Sequence, residues 1–335
     1  MKKRILTLAS IFILSLSLVA CSGDNQSKGT QGANNSGKDF PSGNIRVVVP
    51  FKAGGSADIM IRSLQPFWEE ELGTNIVVEN YDGAATLVGT SQFVNLDADG
   101  YNVLVTTQPY LSSTILVGNA KYTIDDFELI NFQQLDPSCI TVPADSPYKT
   151  FDDLIQAIKS NPGEMKVGTI SGGASHVLLE ILKEELNLDY RFISYSSGNE
   201  YRTALLGGHV DFIASSAQGD VSLGDGVRVL AIAGSERISS WPDAPTFDEL
   251  GIEVPALGSG RILAVRSEVK ENYPDRFEKL VETYEAAFNN PEYQKRLEDN
   301  GELDTSSFKG NEESNKMNKE VHETMLQYKD VILGK

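Results

Sequence analysis

The chain has 335 residues, 40% of them hydrophobic and 23% charged, with a formal net charge of −18. Such a surplus of carboxylates repels phosphate backbones and argues against a nucleic-acid partner. Three histidines and two cysteines fall at no zinc-like spacing. The length suffices for two domains of ordinary size.

Lys2, Lys3 and Arg4 form a basic head, followed by an apolar run from Ile5 to Leu16. The run is short for a membrane span, which needs ~20 apolar residues, but matches a signal-peptide core. It closes on Leu18-Val19-Ala20-Cys21, which resembles the lipobox of bacterial lipoproteins. The resemblance implies a signal peptide over residues 1–20, cleavage, and a lipid on Cys21. Loss of the basic head takes the charge to −18 − 3 = −21. Residues 21–40 carry almost no apolar side chains and read as a flexible tether. With Cys21 lipidated, only Cys139 remains, in an apolar stretch that reads as a buried strand.

Strands and helices then alternate. Residues 45–50 read as a strand, Gly54-Gly55 as a tight turn, and Ser56 as the cap of a helix to about Leu72. Its apolar face is Ile59, Met60, Leu64, Phe67 and Leu72. Pro66 should kink it and Gly73 should end it. A strand at 76–79, a Gly/Ala-rich stretch at 83–89 leading to a helix near Leu96, and a strand at 101–106 follow. This order predicts a parallel sheet with right-handed crossovers. The pattern restarts with a strand at 139–142, a helix capped by Thr150, a strand at 165–168, and a Gly/Ser loop at 171–174. A helix capped by Ser175 comes next, with Leu178, Leu179, Leu182 and Leu186 as its stripe. A short strand at 192–193, a helix over 199–206 and strands at 210–214 and 227–232 complete the second unit. Residues from Pro274 to about Leu333 read as helical and acidic.

Three constellations stand out. Pro50-Phe51-Lys52-Ala53-Gly54-Gly55-Ser56-Ala57-Asp58 joins a strand to a helix start through two glycines. That aims backbone N–H groups at one spot and suits a carboxylate or phosphate, or is a plain turn. Gly168-Thr169-Ile170-Ser171-Gly172-Gly173-Ala174-Ser175-His176 repeats the arrangement, with His176 better read as structural than catalytic. Asp211, inside an apolar strand, needs hydrogen bonds from loop N–H groups or from a ligand. His209 beside it reads as solvated.

The first of these constellations resembles the opening of the tripartite tricarboxylate transporter substrate-binding proteins, the TctC or Bug family. So do Val77-Val78-Glu79-Asn80, Asp99-Gly100-Tyr101, Gly168-Thr169 with Ser175-His176, and Ala204-Leu205-Leu206-Gly207-Gly208-His209-Val210-Asp211. Ser235-Glu236-Arg237, Pro245-Thr246 and Glu249-Leu250-Gly251 complete the ordered set. The resemblance implies an α/β, two-domain, periplasmic-binding-protein-like fold (a type II Venus flytrap) with a ligand cleft between domains. Residues 41–142 with 256–335 would make domain 1 and residues 143–255 domain 2. It implies ligand contacts at Phe51, Gly54, Gly55, Ser56 and Asp58, and at Ser171, Gly172, Ser175, Tyr195 and Asp211. Thr107 and Gln108 are expected to line the cleft. Lys52 and Gln108-Pro109-Tyr110 depart from the family's usual small residues.

The implied activity is capture of a small organic carboxylate and its delivery to the permease subunits of a tripartite tricarboxylate transporter. The protein would be a lipid-anchored, extracytoplasmic monomer with no cofactor and no metal. A sensor presenting a carboxylate to a signalling receptor is the alternative. No Gly-x-Ser-x-Gly elbow or catalytic carboxylate pair points to an enzyme. Salt at ~0.15 M screens the negative surface within ~8 Å, so neutral donors can still bind an anion at close range.

Overall fold

The computed structural model describes residues 40–117, 120–234, 236–255 and 257–333. The expected signal peptide, the expected lipidation site Cys21 and all but the last residue of the expected tether lie outside the described residues.

The first lobe begins with β1 (Ile45–Val49), α1 (Ser56–Leu72), β2 (Ile76–Asn80), α2 (Leu87–Val94), β3 (Asn102–Thr107) and α3 (Gln108–Leu116). β4 (Phe127–Pro143) leads to α4 (Phe151–Ser160), β5 (Lys166–Thr169), α5 (Ala174–Glu185), β6 (Arg191–Ser194), α6 (Gly198–Leu206), β7 (Phe212–Ser216), α7 (Ala217–Asp220) and β8 (Val227–Ile232). β9 (Gly258–Arg266), α8 (Ser267–Asn272), α9 (Pro274–Phe288), α10 (Pro291–Asp299), α11 (Gly310–Gln327) and α12 (Lys329–Ile332) close the chain.

The strands run in the order β2-β1-β3-β9-β4-β7-β5-β6, with β8 also on β4. β1 pairs in parallel with β2 and β3, and β5 with β6 and β7, as the alternating pattern requires. The remaining pairings are antiparallel: β9 sits between β3 and β4, and β4 pairs with β7 and β8. The sequence pattern showed only the last few residues of β4 and missed β9 and α3. β4 belongs to both lobes. Residues up to Pro137 pair with β9, and Ser138 to Pro143 pair with β7 or β8. The result is two α/β lobes joined through shared strands.

Apolar clusters cover both faces of the first lobe's sheet. Trp68 on α1 is fully buried, stands edge-on to Tyr284 of α9 at 5.1 Å, and donates to Thr283 Oγ1 at 3.1 Å. Met60, Leu64, Phe67 and Leu72 of α1 are buried as expected, joined by Ile61 and Trp68, whereas Ile59 points to solvent at 57% exposure. The helix is continuous through Pro66 and ends at Gly73 in the left-handed conformation, φ 69°. The second lobe's core is built on Leu178, Leu179 and Leu182 of α5. α11 spans the lobes: Met317 packs on the first lobe's cluster, and Met325 lies within the second's.

Thr150 caps α4 as expected, accepting the N–H of Asp153 at 3.1 Å. Ser56 and Ser175 do not cap. The N-caps of α1 and α5 are Gly55 and Gly173, with no side-chain cap bond.

Candidate functional site

In open α/β sheets the carboxyl ends of parallel strands, on either side of the point where strand order reverses, form a crevice. Here β1 and β5 are those central strands, each flanked on both sides by parallel neighbours. The loops that follow them meet across a cleft of about 670 Å³. Five helices longer than one turn open onto it. Gly55 and Ser56 begin α1, Thr86 precedes α2, and Thr107 and Pro109 begin α3; Gly173 and Ala174 begin α5, and Ser197 and Gly198 begin α6. Of these, only α6 carries a side-chain cap bond, from Ser197. Uncapped helix starts present N–H groups and the positive end of the helix dipole. The lining side chains include three cations, Lys52, Arg202 and Arg261, against one carboxylate, Asp82. Each cation has a carboxylate near it, Asp82 at 3.8 Å from Lys52, Asp220 at 2.7 Å from Arg202 and Asp136 at 3.7 Å from Arg261, so the helix starts rather than free charge favour an anion here.

Of the residues implicated from sequence, Phe51, Gly55, Ser56, Thr107, Ser171, Ser175 and Tyr195 line the cleft. Gly54, Asp58, Gln108, Gly172 and Asp211 do not, and each has a structural occupation instead. Gly54 adopts φ +81°, and its N–H donates to Asp58 Oδ2 at 2.8 Å. Asp58 is buried and also accepts from Arg62 Nε at 2.8 Å and Asn80 Nδ2 at 3.0 Å. Burial works to raise its pKa, but those donors together hold the carboxyl below its usual range. Gln108 is fully buried and turns its amide to Ser112 Oγ at 2.8 Å and the Asn318 carbonyl at 2.9 Å. Gly172 has φ +79° and donates its N–H to His176 Nδ1 at 3.1 Å. Asp211 precedes β7 rather than lying within it, is exposed, and accepts the Lys166 N–H at 2.7 Å.

His176 is buried, and that burial lowers its pKa. It therefore serves as a neutral acceptor that shapes the second-lobe loop. Ser175 donates to the Ser215 carbonyl at 2.9 Å, and Ser171 pairs with Ser194 at 2.8 Å. Lys52 is 86% exposed at the rim, 3.8 Å from Asp82. The first lobe meets the second where α3 faces the 171–174 loop: a Cβ on Gly172 would lie 2.9 Å from Ser113 Oγ, and one on Gly173 3.1 Å from the Tyr110 hydroxyl. Burial pushes the Tyr110 pKa up to about 12, so it stays a neutral donor.

Sequence reasoning missed Thr86, Arg202 and Arg261. Ala84, Ala85 and Thr86 take φ 47°, 50° and 81°, a run of left-handed residues without glycine at the cleft wall. The buried hydroxyls of Thr86 and Thr107 have no hydrogen-bond partner among the described residues. The Gly83–Gly89 stretch hinted at an unusual turn; the arginines carried no local signal.

Residues 60–333 match the family described as the tripartite tricarboxylate transporter family receptor. The chain belongs to that family. It is 29% identical over 260 residues to a Cupriavidus necator protein called "UPF0065 protein in gbd 5'region", covering 77% of this chain and 78% of that one. The periplasmic binding protein BugD superposes with a TM-score of 0.71 at 26% identity, over 88% of this chain and all but 2% of its own, 98% being covered. MatC from Rhodopseudomonas palustris, solved with bound malate, shares the fold with a TM-score of 0.71 at 22% identity, over 88% of this chain and 100% of MatC. The family is one of transporter receptors, and BugD is a periplasmic binding protein.

Proposed function

We propose that this receptor captures a small organic carboxylate outside the cytoplasm and hands it to the membrane subunits of a tripartite tricarboxylate-type transporter. The observation that carries the reading is the ring of helix starts around a cleft with a single lining carboxylate. Backbone N–H groups and neutral hydroxyls hold an anion without a costly buried countercharge. The malate held by MatC is the same class of ligand in the same fold. The protein binds and releases its ligand without turning it over.

In this reading Phe51, Gly55, Ser56 and Thr107 face the ligand from the first lobe, and Ser171, Ser175 and Tyr195 from the second. Gly54, Asp58, Gln108, Gly172 and Asp211 hold the loops in shape. Residues 41–142 with 256–335, and residues 143–255, move as two bodies about β4 and β9 when the ligand is enclosed. A lipid on Cys21 holds the monomeric receptor at the membrane, and residues 22–40 give it reach.

A thermal-shift screen of carboxylates tests the binding reading. A ligand at ~100 times its dissociation constant should stabilise the protein by ~2.7 kcal/mol. A shift with a cation or a sugar, and none with any carboxylate, would overturn it. The anchor is tested separately: the wild-type chain should incorporate labelled fatty acid, and Cys21→Ser should not.

A further inference from the structure

We propose that Tyr110 selects among carboxylates: its ring walls off one end of the cleft, and its hydroxyl donates a hydrogen bond to the ligand that fits in front of it. This rests on the carboxylate-binding reading above and names the residue of that site that sets ligand length.

Tyr110 is aimed by its neighbours on α3. Gln108 and Ser112 share one face of that helix. Both are buried and committed to α11: Gln108 donates to the Asn318 carbonyl at 2.9 Å, and Ser112 pairs with His322 Nδ1 at 2.9 Å. Residues two apart on a helix lie about 200° apart around its axis, so Tyr110, midway between them, faces the other way. That direction is the cleft, which Tyr110 lines.

The ring then crosses to the second lobe. On its own side it stands edge-on to Phe51, with centroids 6.2 Å apart. On the far side, a Cβ on Gly173 would lie 3.1 Å from its hydroxyl and 3.4 Å from the ring carbon that carries it. Gly173 has φ −90° and ψ 173°, which any residue adopts. Space rather than backbone conformation therefore calls for glycine there, and the Tyr110 ring takes up that space.

Beside this contact a Cβ on Gly172 would lie 2.9 Å from Ser113 Oγ, so the lobes meet along this side of the cleft. Tyr110 and Gly173 are the parts of that contact that front the hollow; Ser113 and Gly172 lie behind them, outside its lining. The cleft ends on the tyrosine ring. A smaller side chain at this position would leave room for a longer ligand.

The hydroxyl is the second observation. In the interior, the hydroxyls of Tyr122, Tyr190, Tyr284 and Tyr293 are hydrogen-bonded to Thr114, the Leu179 carbonyl and Gln133. That of Tyr110 has no hydrogen-bond partner among the described residues, and the residue stays partly exposed. A neutral phenol donates to a carboxylate through a charge-assisted bond, stronger than one between neutral groups.

The test titrates the mature chain calorimetrically with unbranched acids, acetate to octanoate and oxalate to suberate, one at a time. Tyr110→Ala should bind best to a longer chain than the wild type does. Tyr110→Phe keeps the ring and should keep the length preference, but should bind its best acid about tenfold more weakly, the size of one charge-assisted hydrogen bond. Gly173→Ala should weaken binding, and less so in the Tyr110→Phe background, where the hydroxyl it meets is gone; such coupling marks groups in contact. Far-ultraviolet circular dichroism checks that each variant is folded, and the phenylalanine and Gly173 variants carry the test if the alanine variant is not. The wild-type length preference in a folded Tyr110→Ala, or no binding by it at all, would overturn the end wall. Tyr110→Phe binding like the wild type would overturn the donor, and an equal cost of Gly173→Ala in both backgrounds would overturn the contact that places the ring. Each of these leaves the carboxylate reading intact, whereas failure of every acid to bind the wild type would overturn both.

Discussion

The N–H of Gly54 donates to Asp58 Oδ2 at 2.8 Å, so the carboxylate four residues downstream pins the loop that opens α1. Asp58→Asn retains the shape but replaces an acceptor oxygen with a donor. The variant should lose ~1–3 kcal/mol at pH 7, the range for an unmade buried hydrogen bond. The folded-state pKa is depressed, so the wild-type advantage is present above the unfolded value near 3.8 and fades as pH falls through the folded one. Urea melts at pH 7 and pH 3 check this, and an equal difference at both would refute it.

Gly55 lies at the α1 N-cap, where a Cβ would meet the Lys52 carbonyl at 3.1 Å. Gly55→Val should reduce carboxylate affinity at least tenfold while the far-ultraviolet circular dichroism stays that of the wild type. Unchanged affinity would remove the first loop from the site.

Thr107 carries a buried hydroxyl without a partner among the described residues. Thr107→Val removes a group that folding left unsatisfied. The ligand-free protein should be as stable or up to ~1 kcal/mol more stable, while ligand affinity falls by a similar energy. Melting curves with and without ligand separate the two effects, and a loss of stability without ligand would contradict the assignment.

Gly172 has φ +79°, and a Cβ added there would lie 2.9 Å from Ser113 Oγ across the lobes. Gly172→Ala should cost about 1–2 kcal/mol in backbone strain and should also hinder closure. Small-angle scattering at saturating ligand would then give a larger radius of gyration than the wild type, and an unchanged radius would separate this glycine from closure.

His176 and His322 are both held below the usual imidazole pKa, chiefly by burial, with Glu180 opposing the shift at His176 and Asp125 and Glu323 opposing it at His322. A depressed folded pKa means the unfolded chain binds the extra proton more readily. Stability should therefore fall as pH drops below about 6.5 toward the folded pKa. His176→Asn should flatten the melting-temperature profile between pH 7 and pH 5, and a profile as steep as the wild type's would assign the effect elsewhere.

The parallel strands were legible as short continuous apolar runs, and their helices as apolar stripes at period 3.6. The N-terminal half of β4 was not. Asn131, Gln133, Gln134 and Asp136 interrupt its apolar run, yet all are buried. Their partners are remote: Asn131 accepts the Lys309 N–H, Gln133 donates to the Tyr293 hydroxyl, and Gln134 meets Arg261. Polar groups satisfied from such a distance in the chain look solvated in sequence. The site showed the same ambiguity. Asp58 and Asp211 have the acceptor oxygens a ligand donor would want, but neighbouring N–H groups claim them. Arg202 and Arg261 reach the cleft wall beside partners far along the chain, Asp220 and Asp136, which no local pattern reveals.

β9 is wedged between β3 and β4, yet in the chain it follows the whole of the second lobe. The first lobe to be synthesised therefore cannot finish its own sheet until the later strand has been made. Its last pairings are among the most distant in sequence, the kind that form slowly. Until then β3 keeps an open edge, the kind of unpaired strand that another chain can add to.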